Sequence, residues 1–104
     1  MKRVGFAMQL LPGNEKEYKK RHDEIWPQLV KELNDAGVRD YVIYRDPRTN
    51  TLFACQKVTE TNTADQLPAR EIVKKWWAYM ADLMETNPDN SPKVYQLDEM
   101  FYLE

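Results

Sequence analysis

Two kinds of hydrophobic spacing alternate along the chain and predict its secondary structure. Apolar residues at every second position predict four strands, Val4–Leu11, Val38–Arg45, Leu52–Val58 and Tyr95–Leu103. Apolar residues three and four positions apart predict two helices, one from the capping residue Asn14 to about Ala36 and one over roughly Ala69–Met84. The order of elements is therefore βαββαβ.

This order is typical of a ferredoxin-like α+β fold, with one antiparallel sheet and both helices on one face. The third strand carries apolar residues at both parities, Phe53 and Cys55 against Leu52 and Ala54. The sheet face away from the helices is thus apolar as well, and we expect a second subunit to cover it. The sequence predicts a homodimer packed sheet to sheet, an assembly of the dimeric α/β-barrel type.

Composition narrows the class of protein further. The 104 residues, 42% hydrophobic and 31% charged, fit a single domain over 1–104. A net charge of −2 argues against a nucleic-acid partner. Cys55 is the only cysteine, so no intrachain disulfide can form, and no apolar stretch reaches the roughly 20 residues of a membrane span. We expect a cytoplasmic protein without a membrane partner.

His22, the only histidine, lies on the apolar face of the first predicted helix, one turn after Tyr18. Two interpretations stay open: a core histidine bonded to a backbone carbonyl, or a general acid/base. One histidine without a Cys or carboxylate spacing supplies too few ligands for a metal. The charged residues around Tyr18, namely Lys16, Glu17, Lys19, Lys20 and Arg21, are interpreted as a solvated helix face, and Pro27 as a bend at a solvent-facing position.

Trp76 and Trp77 in the second helix diverge by about 100°, so at least one indole should border the core. They are either ordinary packing residues or a platform for a sugar ring, to which Tyr41 could add. The proline-rich segment Asn87–Pro92 is either an ordinary turn or a loop that recognises hydroxyl groups.

Three motifs, taken together and in order, resemble the L-rhamnose mutarotases. They are Tyr-x-x-Arg-His-x-x-Ile-Trp-Pro from Tyr18, Trp-Trp-x-Tyr-Met from Trp76, and Asn-Pro-Asp-Asn-Ser-Pro from Asn87. The resemblance implies a dimeric ferredoxin-like isomerase that needs no cofactor and interconverts the α and β anomers of L-rhamnose or a related deoxy-sugar. It also implies that His22 is the proton donor and that four residues bind the sugar: Tyr18, Tyr41, Trp76 and Trp77. The chain departs from the family pattern at Gln28 and over Asn62–Arg70.

Anomer exchange requires one proton to leave the anomeric hydroxyl and another to reach the ring oxygen, and a histidine can serve either step near neutral pH. The partner base stays open between Asp89, a tyrosine and water; Asp89 is also predicted to bind the substrate. Two other classes share this fold: a non-catalytic small-ligand-binding dimer, and a cofactor-free monooxygenase or haem-degrading enzyme.

Overall fold

The computed structural model describes every residue from Met1 to Glu104. Its elements in chain order are β1 (Lys2–Gln9), α1 (Glu15–Asp23), α2 (Pro27–Asp35), β2 (Val38–Asp46), β3 (Thr51–Val58), a 3₁₀ helix (Ala64–Ala69), α3 (Glu71–Met80) and β4 (Tyr95–Gln96). No helix combines the length and the apolar content that a membrane span requires.

The four strands form one antiparallel sheet in the order β2-β3-β1-β4. β3 lies between β1 and β2, which is the split arrangement that the order of elements predicts. The helices pack on one face of this sheet, and the predicted α+β class is confirmed. We call the face against the helices the inner face and the opposite one the outer face.

The core lies between the inner face and the helices. Leu10 and Leu52 are each only 1% exposed. The buried cluster around them is Met8, Tyr18, Leu29, Ala54, Val73, Trp76, Met80, Leu83 and Met84. The alternation in β1 and β3 thus places one parity of each strand in this core.

β2 contains a bulge that affects which side chains face the helices. Arg39 pairs with Lys57 and Val42 with Cys55, so two residues, Asp40 and Tyr41, stand opposite a single residue of β3. Asp40 takes the left-handed conformation with φ 48°. The extra residue allows both Val38 and Ile43, five positions apart, to lie on the inner face.

The prediction of one helix from Asn14 to about Ala36 is wrong, because the chain breaks after Asp23 and a second helix starts at Pro27. Pro27 has no amide hydrogen to continue the first ladder, but its fixed φ suits the first position of a new helix. Pro27 therefore separates two helices instead of bending one. Asn14 occupies the N-cap position, but its side chain donates to the Leu83 carbonyl at 3.3 Å instead of capping the helix.

The second predicted helix is shorter than Ala69–Met84. Residues 64–69 form the 3₁₀ helix, which contains Pro68, and α3 stops at Met80. The chain after Met80 pairs with the end of β1 instead: the Leu11 amide donates to the Leu83 carbonyl at 2.9 Å and the Glu85 amide to the Gln9 carbonyl at 2.9 Å.

The last strand is much shorter than the predicted Tyr95–Leu103. Only Tyr95 and Gln96 pair with β1, and the Leu97 amide donates one further hydrogen bond to the Gly5 carbonyl at 3.1 Å. Residues 98–104 have no regular structure, and Met100 is 90% exposed. A strand at a sheet edge has one neighbour only, so alternation of its side chains does not ensure that the ladder continues.

Candidate active site

His22 lies in the last turn of α1, and its ring is oriented by the backbone of the same helix. Nδ1 is 3.0 Å from the Tyr18 carbonyl oxygen. Because a carbonyl can only accept, Nδ1 carries the proton and Nε2 of the neutral ring holds the free lone pair. No protein group bonds to Nε2. The carbonyl bond expected of a core histidine is present, but it engages only one of the two ring nitrogens.

Aromatic rings fix the position of this imidazole. The Tyr18 ring stacks on it at a centroid distance of 4.3 Å, and Trp76 meets it edge to face at 5.4 Å. Trp26 packs edge to face on Trp76 at 5.1 Å and stacks on Tyr79 at 5.5 Å. The result is a continuous aromatic wall contributed by α1, the break after it, and α3.

The wall borders an open cavity of about 1290 Å³ between the inner face and the helices. His22, Tyr18, Tyr41, Trp76 and Trp77 all line this cavity. The structure therefore brings together five of the six residues that the sequence singles out. Trp76 is buried and Trp77 half-buried, in line with the expectation that the two indoles diverge.

Tyr41 reaches the cavity from β2, opposite α1. It follows the bulged residue Asp40, shares the parity of Ile43, and meets Phe6 of β1 with ring centroids 6.3 Å apart. Loss of solvation raises the pKa of the Tyr41 hydroxyl to about 12, although the side chain as a whole is 41% exposed. Burial, with a smaller effect of Tyr41, also raises the pKa of Tyr18. Both phenols stay protonated near neutral pH and can donate hydrogen bonds.

Burial also lowers the pKa of His22, because the charged imidazolium loses hydration. The bond to the Tyr18 carbonyl and the charge of Asp23 oppose this effect but do not reverse it. The ring is therefore neutral at pH 7, with Nε2 ready to accept a proton.

Asp89 is not among the residues that line the cavity. It is exposed, and its carboxylate accepts hydrogen bonds from the Ser91 hydroxyl and, at 3.0 Å, from the Ser91 amide; together these bonds lower the pKa of Asp89. The same loop is closed by the Asn87 amide, which donates to the Ser91 carbonyl at 2.8 Å. The loop contributes its last residue, Pro92, to the cavity wall instead.

Two residues around the site were not assigned a role from the sequence. Trp26 could have been found from its position on the apolar helix face, next to Ile25. Arg21 was placed on a solvated face, which is wrong: its side chain is only 13% exposed. The four-residue spacing of Glu17 and Arg21 could have predicted the ion pair between them.

The arrangement suits proton transfer to a small polar molecule held against aromatic rings. No group of three or more His, Cys, Asp or Glu side chains is positioned to hold a metal ion.

Comparison with known proteins gives a consistent result along the whole chain. Residues 3–103 match a family profile described as L-rhamnose mutarotase. The L-rhamnose mutarotases of Phocaeicola vulgatus and Bacteroides thetaiotaomicron are 56% and 53% identical over 104 residues, with all of each chain covered. The crystal structure of L-rhamnose mutarotase from Formosa agariphila superimposes with a TM-score of 0.94 at 50% identity, covering 100% of both chains.

Proposed function

This chain belongs to the L-rhamnose mutarotase family, and from that membership we propose how its residues act. It is an isomerase that interconverts the α and β anomers of L-rhamnose by opening and closing the sugar ring. The part of the proposal that is specific to this chain is that His22 moves the proton between the two oxygens of the anomeric carbon.

The reaction begins with the neutral imidazole. Nε2 takes the proton of the anomeric hydroxyl, the bond between the anomeric carbon and the ring oxygen breaks, and its electron pair stays on the ring oxygen. The new carbonyl forms at the former hydroxyl, and the imidazolium donates its proton to the ring oxygen. Rotation of the open aldehyde and the reverse steps give the other anomer.

One nitrogen can serve both transfers because both oxygens are bonded to the same carbon. His22 is then the proton donor to the ring oxygen, as the family resemblance implies, and also the acceptor. The carboxylate of Asp89 becomes unnecessary as a base, and we assign the cavity tyrosines no basic role because their raised pKa values keep them protonated.

We assign substrate binding to the groups around His22. Tyr18 and Tyr41 donate hydrogen bonds to sugar oxygens, and such donors stabilise the negative charge that develops on the ring oxygen. Trp76 and Trp77 offer indole surfaces to the C–H faces of the sugar ring.

The observation that carries this proposal is that the two nitrogens of the His22 ring have different surroundings. Nδ1 is held at 3.0 Å by the Tyr18 carbonyl, whereas Nε2 has no protein partner and the ring lines the cavity. A histidine that served packing alone would not require a free nitrogen at a cavity wall.

The decisive test replaces His22 with Asn and measures anomer exchange of L-rhamnose by saturation-transfer NMR. The Asn amide can still donate to the Tyr18 carbonyl, but nothing replaces Nε2. We expect a loss of about 10²–10⁴-fold, the usual contribution of general acid/base catalysis. His22→Gln places an amide near the Nε2 position and should be equally inactive, since an amide does not transfer protons. Exchange at the parental rate in a folded His22→Asn protein would refute the proposal.

The two other classes that share the fold make different predictions. A non-catalytic binding protein would bind the sugar without accelerating its exchange, and a monooxygenase would consume oxygen with an aromatic substrate. The family match favours neither class.

We also propose that the protein is a homodimer joined through the outer face. Register places Tyr44, Phe53, Ala7 and Tyr95 in one row across the four strands of this face. Tyr44, Phe53 and Tyr95 are 65%, 40% and 56% exposed, an apolar surface of the kind that a second subunit covers.

Sedimentation of the parental chain and of Phe53→Glu tests the dimer. A charge at the centre of the row should yield monomers, whereas Lys31→Glu on exposed α2 should leave the mass unchanged. A parental chain that sediments as a monomer at micromolar concentration would contradict the dimer. We further propose a cytoplasmic location, because the lone cysteine, Cys55, is a free thiol, which suits a reducing compartment.

A further inference from the structure

Arg21 directly precedes His22, and its side chain forms more hydrogen bonds than that of any other residue around the site. Its Nε donates to Glu17 Oε2 at 2.8 Å, and its Nη1 donates to Asp82 Oδ1 at 2.9 Å and to the Tyr79 carbonyl at 2.6 Å. The guanidinium also lies over the Tyr79 ring, 4.4 Å from its centroid. These bonds join the end of α1 to the end of α3.

Tyr79, whose carbonyl Arg21 binds near the end of α3, is part of the aromatic wall. Tyr79 stacks on Trp26 and lies 5.8 Å from Trp76, which in turn meets His22 at 5.4 Å. A closed circuit of contacts thus runs from Arg21 through α3 and back to the residue that follows Arg21.

The last turn of α1 needs a tertiary contact that fixes its position. The helix is nine residues long, it stops one residue after His22, and the chain turns away at Pro27. A helix of this length is marginal without tertiary contacts, and its last turn is the first part to fray. Of the side chains in that last turn, only Arg21 bonds to α3 and the turn that follows it.

Building on the proposed function, we propose that Arg21 is a positioning residue: its bonds to Asp82 and Tyr79 hold the last turn of α1 so that His22 Nε2 faces the cavity. Arg21 does not touch the substrate in this proposal. The planar guanidinium reaches three acceptors from two separate nitrogens, Nε and Nη1, whereas an ammonium group places all its donors on one atom.

The sole histidine makes the test direct, because the imidazole signal in an NMR spectrum belongs to His22 alone. We would titrate this signal and measure kcat and KM for L-rhamnose in the parental protein, Arg21→Lys and Asp82→Asn. Arg21→Lys keeps the positive charge but loses the planar guanidinium, so it separates the effect of these hydrogen bonds on position from the effect of charge.

In Arg21→Lys we expect kcat to fall about tenfold or more while KM changes less than about threefold, because a small displacement of a catalytic group acts on the chemical step. The His22 pKa should rise toward its ordinary value as the frayed turn regains water. Asp82→Asn should shift both quantities in the same direction. The control is Lys31→Met, which removes the exposed ion pair with Asp35 on α2 and should change neither quantity.

A folded Arg21→Lys protein with parental kcat and parental His22 titration would overturn the proposal. So would a loss of activity that only follows the unfolded fraction in a melting curve, with an unchanged titration of the folded protein. The titration needs no catalysis, so positioning can be judged even if the His22→Asn test removes His22 from the mechanism.

Discussion

The inner and outer faces of the sheet are built from the same strands and both carry apolar residues. They differ in the polar groups that lie beside these residues. On the inner face, Phe6, Tyr41 and Ile43 line the same cavity as His22. On the outer face, Tyr44, Phe53 and Tyr95 form a row with no titratable imidazole and no enclosing helices. An apolar strand surface alone therefore indicates burial, and only polar groups aimed into a cavity indicate chemistry. Substitutions matched across the two faces can test this division.

The largest contrast should come from neighbours on β3. Leu52 is 1% exposed on the inner face, and Phe53 is 40% exposed on the outer face. Leu52→Ala leaves a cavity in the core and should cost about 2–5 kcal/mol of unfolding free energy. Phe53→Ala should cost about 0.5 kcal/mol at protein concentrations that favour monomers.

Urea unfolding at two protein concentrations measures both effects. If Phe53 belongs to a subunit interface, the cost of Phe53→Ala should grow with concentration, while that of Leu52→Ala should not. Equal losses at all concentrations would abolish the distinction between the faces.

The pH dependence should be next in size and should belong to the inner face alone. Burial lowers the pKa of His22 from its ordinary value, so the reactive neutral ring predominates near neutral pH. kcat/KM should therefore be flat near neutrality and fall about tenfold per pH unit once the pH drops below the lowered pKa.

NMR exchange rates corrected for the spontaneous reaction give this profile. Phe53→Ala should leave the acidic limb in place. A rate that rises as the pH falls would mean that the resting imidazolium, and not the neutral ring, starts the reaction.

The smallest effect should separate two tyrosines. Tyr41→Phe removes one hydrogen-bond donor to the substrate and should reduce kcat/KM about three- to tenfold. Tyr95→Phe removes the same hydroxyl from the outer face and should leave kcat/KM unchanged. Parental activity in Tyr41→Phe would exclude a hydrogen bond from this phenol in the transition state.

Local periodicity predicted β1, β2 and β3, whereas the binding roles of Tyr18, Tyr41, Trp76 and Trp77 came from the family resemblance. Val38 to Arg45 and Leu52 to Val58 pair as expected, since a short polar turn between two β-branched runs favours a hairpin. Tyr18 and His22 were predicted to be neighbours from their spacing, and their rings stack.

The errors arise where a residue pairs with a backbone or charged group that is distant in sequence, because local patterns do not reveal such a partner. Met84 bridges to Leu10 instead of extending α3, and the pattern of α3 alone contains no sign of that partner. Arg21 resembles its exposed neighbours in sequence, but its partners Tyr79 and Asp82 lie about sixty residues away. The helix break was visible as Pro27, but proline is compatible with either a bend or a new first turn.

The bulge in β2 also determines how this strand tolerates loss of a residue during evolution. Asp40 is the extra residue between two correctly registered stretches. Deleting it would leave Arg39 opposite Lys57 and Val42 opposite Cys55, so a lineage could lose this codon and keep Tyr41 at the cavity. A deletion at Ile43 would instead shift one stretch by a single position and exchange its two sets of side chains between the faces.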